Sequence, residues 1–556
     1  MRRGRAGAGA APATEREGAL LARPRLAADV RVHEPITDSG PWVVQRGSQQ
    51  YLRAGADMVR LLHSMDGERD HAALAETLGP PWTDSEVDKA VGNLRKMRLL
   101  EDGRPPKRSS SWFKFVPPLT FQFTVVKPER MLARLAPLLN LVANRTGAVL
   151  AVVLALGGLL ALAAQAPVLQ QALGTPLTLD VLLGVAGASL VATALHEMGH
   201  GAVLTHHGGR PSRMGVMLFY LTPAFFCDVS DGWRLPRKEQ RVQVALAGIV
   251  TQMVIAGSVA LGALAAGPAA GDPGLRHGML VFAVSTYVTG LLNLLPFVKL
   301  DGYIALMTHL DISHLRDRTM TDARRFLSKI LFGGRYTREL PGLWWSVPFG
   351  LASMLFPLYL IAMAFTLWLD VLQGMGIIGA TVLLVGVVYL GYRAWNGGRL
   401  LLREARTAGA RVWRICAAPL LSAVVAGVAL TTVTVPYTVT GGYVVEDGRT
   451  SLVVSDSADR EAITEGATVT LFRRGMVTRT ETGTATVGQG RAVKATAPLS
   501  AFIPVRDGDS VPVPAVVLPL SVGTAPADRI GTARVVAGSR SLGEWLYLSY
   551  IAPAAR

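Results

Sequence analysis

The chain has 556 residues, half of them hydrophobic and only 17% charged, with a mean hydropathy of +0.33. That balance excludes one ordinary soluble domain and calls for several membrane spans. The formal net charge is +16, but no basic-aromatic surface pattern accompanies it. In a membrane protein the excess Lys and Arg belong to cytoplasmic loops, so no nucleic-acid partner is expected.

Residues 1–29 are rich in Arg and Ala and lack an apolar core segment, which reads as a disordered cytoplasmic tail and not a secretory signal. Residues 30–104 read as a small α/β domain. WVVQRG and QQYLRAG have strand character around a Gly-containing turn, and ADMVRLLHSM sets Met58, Leu61, Leu62 and Met65 at helical spacing. HAALAETLG and SEVDKAVGNLRKMRLL supply two more amphipathic helices, the second capped from Thr83, Asp84 or Ser85. Short strands plus three helices predict a winged-helix-like domain. Residues 105–145, opening on PPKRSSSWFKFVPP, read as a basic linker and a juxtamembrane segment.

Hydrophobic stretches follow at 146–165, 179–204, 242–267, 278–298, 343–369, 373–395 and 413–434. Each is long enough for a span of roughly 20 residues, so 146–434 is expected to be a polytopic α-helical membrane domain of about seven spans. Lys and Arg gather in alternate connections, which puts the N-terminus in the cytoplasm and the C-terminal domain outside. MGVMLFYLTPAFFC, 214–227, is apolar but too short to cross and is broken by Pro223; it reads as a re-entrant hairpin. From 435 to 556 apolar residues alternate between turns, as an all-β barrel or sandwich requires.

The chemistry lies in HEMGH, residues 196–200, inside the second stretch. Positions i and i+4 of a helix share a face, so His196 and His200 can offer both imidazoles to one ion. Glu197 reaches the attacking water as general base, the arrangement of zinc peptidases. Ionisable groups at membrane depth are costly and persist with partners, and a metal supplies one. Catalytic zinc takes three protein ligands, and the fourth stretch ends in NLLPFVKLDGY. There Pro296 interrupts the helix and Gly302 permits a sharp turn, so Asp301 can point inward toward the ion, although taken alone it reads as a solvated helix terminus. The two cysteines, Cys227 and Cys416, have no zinc-ribbon spacing, so one zinc ion on nitrogen and oxygen ligands is the expected cofactor. His206 and His207 read as cytoplasmic loop histidines, Asp228 and Asp231 as caps, and Cys227 as a small core residue.

HEMGH followed by NLLPFVKLDG resembles the site-2 protease family of intramembrane zinc metallopeptidases, over roughly 180–305. The resemblance implies ligation by His196, His200 and Asp301, base chemistry at Glu197, and cleavage in or beside the bilayer. FYLTPAFFCDVSDGWRLP is similar to the bacterial peptide zinc metalloprotease branch, found beside ribosomally made, modified peptides. Val298 and Lys299 stand where many members carry a further proline, and Gln252 in AGIVTQMV stands where an Asn is common. Asn293 and Gln252 are candidates for orienting substrate or stabilising an oxyanion, or for helix–helix hydrogen bonding. The 30–104 domain resembles winged-helix domains that bind leader peptides by strand addition, and the C-terminal domain is similar to barrel parts of membrane-fusion proteins. The expected partners are a peptide substrate, such as a modified precursor peptide, and membrane lipids. Cleavage of a membrane-anchored regulator, a non-catalytic secretion or immunity role and zinc transport are the rival readings; the intact Glu197 weighs against a mere scaffold.

Overall fold

The computed structural model describes residues 20–35, 42–46, 50–101, 112–116, 120–126, 128–219, 222–267, 273–374, 377–455, 458–475, 478–502, 505 and 511–552. The chain begins with strands β1 (Val30–His33), β2 (Trp42–Arg46) and β3 (Gln50–Ala54) and helices α1 (Ala56–Ser64), α2 (His71–Leu78) and α3 (Asp84–Lys96). Strands β4 (Phe113–Val116) and β5 (Thr120–Val126) lead to α4 (Glu129–Val142), α5 (Arg145–Ala164), α6 (Ala166–Gly174) and α7 (Leu179–His206). After β6 (Met214–Phe219) and β7 (Thr222–Cys227) come α8 (Lys238–Ala266), α9 (Pro273–Leu294), α10 (Asp301–His309) and α11 (Leu315–Phe332). Helices α12 (Ser346–Gly374), α13 (Ile377–Thr407) and α14 (Val412–Thr432) follow. The chain ends in β8 (Thr434–Glu446), β9 (Arg449–Val454), β10 (Thr468–Arg474), β11 (Arg479–Val487), β12 (Val493–Pro498), β13 (Pro512–Thr524), β14 (Ile530–Ser541) and the short α15 (Leu542–Leu546). Its contacts divide into two units, Met1–Leu150 with Thr193–Thr251, and Ala151–Ala192 with Gln252–Arg556.

In the first unit, β1, β2 and β3 form an antiparallel sheet beside α1–α3. Asp70 caps α2 by accepting from the Ala73 N–H, and Thr83 caps α3 by accepting from Glu86. Leu61, Leu62, Leu74, Val87, Val91 and Leu94 project from one face of each helix into a shared core with Val44. Burial of these side chains is worth roughly 1.5–3 kcal/mol each.

The segment read as linker and juxtamembrane supplies β4, β5 and α4, while its residues 105–111, 117–119 and 127, like residues 1–19 of the expected tail, lie outside the described residues. The apolar stretch at 214–227 is a β-hairpin, and β5 pairs with it to give a four-stranded antiparallel sheet in the order β4-β5-β6-β7. Pairing on this scale satisfies backbone groups that an irregular apolar loop would leave open. Gly215 makes the β5–β6 approach possible, since a Cβ there would sit 2.0 Å from the Phe123 carbonyl oxygen.

In the second unit, α5, α8 and α9 meet through small residues. Ala161, Ala256, Ala260, Ala263 and Ala283 are buried with Leu280 and Tyr287. The close approach is set by Gly158, where a Cβ would lie 2.2 Å from the Gly257 Cα, and Tyr287 Oη donates to the Ala155 carbonyl at 2.7 Å. Among the described residues seven helices, α5, α7, α8, α9 and α12–α14, are long and apolar enough to cross a membrane, one for each hydrophobic stretch. Their length and composition suit a membrane protein. The helices depart from the stretches at several ends, and two of these have a local cause. The fourth stops at Leu294, short of Pro296, and α13 runs on through Arg393, Arg399, Arg403 and Arg406, where Leu and Arg favour helix and Arg325 pairs with Glu404 at 3.5 Å.

The C-terminal strands form one antiparallel sheet ordered β11-β10-β14-β8-β9-β13-β12, and a β11–β13 pairing closes it into a barrel with β12 on the outer flank. Tyr443, Leu452, Val469, Leu471 and Val535 fill the interior, and Arg473 holds Asp528 through two bonds of 2.7 and 3.0 Å. The closing pair decides between the barrel and the sandwich.

Candidate metal centre

Helix α7 carries His196 and His200 one turn apart, and both are buried. Their Nε2 atoms lie 3.1 Å from each other, close to the ~3.3 Å edge of a tetrahedron with ~2.0 Å metal–nitrogen bonds. The tautomer of His200 follows from its other nitrogen: Nδ1 faces the Val244 carbonyl oxygen at 2.7 Å, and an oxygen that only accepts keeps the proton on Nδ1. The Nε2 lone pair is therefore directed at His196.

Helix α8 closes this side of the site with a residue that has no side chain. A Cβ on Gly248 would stand 2.4 Å from His200 Nε2 and 2.6 Å from His196 Nε2. Gly199 makes the reciprocal contact, since a Cβ there would meet Thr251 Oγ1 at 2.5 Å. Each glycine backbone thus passes directly against side chains of the facing helix.

Asp301 opens α10, across a six-residue connection from the end of α9. The glycine after it is required by contact and not by backbone angle: a Cβ on Gly302 would lie 1.9 Å from the Leu294 carbonyl oxygen. One ligand atom each from His196, His200 and Asp301 falls within 4.8 Å of the others. Two imidazole nitrogens and a carboxylate oxygen suit zinc, and the volume left by Gly248 fits an ion held against those nitrogens.

Glu197 stands apart from this ligand set. Its Oε2 accepts the Cys227 backbone N–H at 2.8 Å, which fixes the carboxylate against the last residue of β7. Burial first, then the charges of Glu197 and Asp228, push the Cys227 thiol up to about 12, so it is a packed, protonated side chain. Gln252 lies one turn beyond Gly248 on α8 and is fully buried, and its Oε1 meets no hydrogen-bond partner among the described residues. Asn293 is half-buried in the last turn of α9.

The remaining candidates serve structure. Asp228 accepts from Ser230 N and Oγ, Ser212 Oγ and Arg213, and Asp231 accepts from Arg210 N and Arg234. His206 ends α7 and meets Asn140 Oδ1 at 2.6 Å, while His207 meets Gln243 Oε1 at 2.8 Å. Sequence reasoning missed Gly248, the Val244 carbonyl and the Cys227 amide. Only the glycine left a trace, as the one residue without a side chain in AGIVTQMV. Comparison with protein-family models, with curated proteins and with solved structures gave no match.

Proposed function

We propose that the chain is an intramembrane zinc metalloendopeptidase that removes a leader from, or otherwise matures, a ribosomally made modified peptide. The observation that carries this reading is the convergence of His196, His200 and Asp301, from two separate elements, with Glu197 beside two of them on α7. When bound, zinc supplies an acidified water and polarises the scissile carbonyl. His196 and His200 hold their Nε2 atoms toward one point, and the Val244 carbonyl keeps His200 in the ligating tautomer. Glu197 takes the proton of the attacking water on its carboxylate and returns it to the leaving amine. The Cys227 amide keeps that carboxylate oriented while it waits.

Strand β7 supports a peptide substrate. It is the outer strand of its sheet, paired with β6 alone among the described residues, and its last amide already reaches Glu197. An extended peptide laid along that edge brings its carbonyls to the base. Gln252 and Asn293 are assigned to orienting the substrate or its oxyanion. The N-terminal sheet with its three helices is read as a winged-helix-like module that captures the peptide, with the N-terminus cytoplasmic and the barrel outside. The test is Glu197→Gln in a reconstituted membrane with candidate precursor peptides. Zinc stays bound at one ion per chain while cleavage falls by at least about a thousandfold; persistent cleavage rejects the mechanism.

A further inference from the structure

The connection that presents Asp301 has few bonds of its own. Leu295 N–H donates to Leu292, Leu300 N–H to Val298 and Ile304 N–H to the Leu300 carbonyl, all within the connection and the two helices that flank it. Three contacts reach other helices, the first an exposed one in which Lys299 Nζ donates to Asp317 Oδ2 of α11 at 3.1 Å. The Phe297 ring packs between Phe349 and Phe356 of α12, with centroids 5.5 and 5.7 Å away. The Phe297 carbonyl accepts from Arg316 Nε at 3.0 Å.

Arg316 is at the start of α11, where its own amide donates to the Tyr303 hydroxyl at 3.3 Å. Its second guanidinium contact explains a feature of α12. Residue 357 is a proline inside that helix, so Ser353, four residues earlier, lacks the N–H that would close its backbone bond. Within an apolar span a freed carbonyl needs another donor. Arg316 Nη2 supplies it, donating to the Ser353 oxygen at 3.0 Å. Gly350 lets α11 and α12 come close enough, because a Cβ there would fall 2.1 Å from the Thr319 carbonyl oxygen.

We propose that Arg316 and Pro357 together form a brace that holds the 295–300 connection, and with it the Asp301 carboxylate, in position to ligate the metal. The proline exposes an acceptor on a rigid helix, and the planar guanidinium joins that acceptor to the Phe297 carbonyl across fixed directions. Arg316 is a positioning residue, and its effect passes through Phe297 to Asp301. Lysine cannot replace it, since one ammonium does not present the same fork.

This inference rests on the metal reading, and the experiment separates the two. Zinc affinity is measured by chelator competition on the purified full-length protein, beside the thermal unfolding midpoint of each zinc-free sample. Arg316→Met weakens zinc binding by about tenfold or more, the usual size for loss of a group that orients a ligand, and Arg316→Lys falls between it and the unaltered protein. Pro357→Ala is the sharper variant. It restores the N–H at 357 and mends α12, so the midpoint holds or rises, yet zinc affinity falls by about tenfold because Arg316 loses its anchor. It also carries the test if the arginine variants fold poorly. Unchanged affinity in Pro357→Ala, or losses that only track the midpoint, overturn the brace while Asp301→Asn still weakens zinc. If the unaltered protein takes up no zinc, or Asp301→Asn binds it equally well, the metal reading falls and the brace falls with it.

Discussion

Where Gly248 passes His196 and His200, a single methyl group is too large. The positions are close enough that Gly248→Ala must push both imidazoles aside or separate α7 from α8. Alanine stabilises a helix by about 1 kcal/mol relative to glycine, so propensity alone favours the variant. We expect the reverse at this position: zinc content drops well below one ion per chain. Gly262→Ala on the same helix, where the nearest atom to a Cβ would be Met279 Cε at 3.5 Å, keeps its zinc. Equal metal content in both variants would show that the contact is slack. At this scale HEMGH was legible because i,i+4 spacing is a property of one helix. Gly248 was not, because its meaning depends on which helix lies opposite.

Elements show the same division between local and distant causes. Caps at Asp70 and Thr83 and the apolar runs of the spans are written within a few residues of where they act. The β4–β7 sheet is written in two places about a hundred residues apart, so a segment that looked like linker proved to be half of a sheet. Asp322 of α11 is a further case. It is completely buried and accepts from the Glu339 and Leu340 amides and the Ser346 hydroxyl, fastening the 333–345 connection to the start of α12. Replacing it by Ala leaves three donors without their acceptor, and a loss of about 3 kcal/mol is expected in denaturant unfolding. A loss below about 1 kcal/mol would show that water takes over the carboxylate's role.

For the molecule as a whole, charge in the connections argues for sidedness. The stretches between spans after α7 and α9 and the C-terminal half of α13 are rich in Arg and Lys, and the connections after α5 and α8 have none. The rule that basic connections stay inside supports the proposed orientation, with the N-terminus cytoplasmic and the barrel outside. A phosphatase reporter that works only outside is expected to be active after Arg556 and silent before Met1, and the opposite pattern would overturn the orientation. Hydropathy alone found all seven helices, because a bilayer asks for a minimum length of apolar chain and little else. The α-to-β change near 435 and the i,i+4 histidine pair of HEMGH were equally local patterns of side-chain type. Tertiary structure alone closed the barrel through β11 and β13, turned the 214–227 stretch into the edge of a sheet, and brought Gly248 and the Val244 carbonyl against the imidazoles and Arg316 against Phe297 and Ser353. Each of those depends on a close approach between segments far apart in the chain, and no spacing along the sequence encodes such a distance.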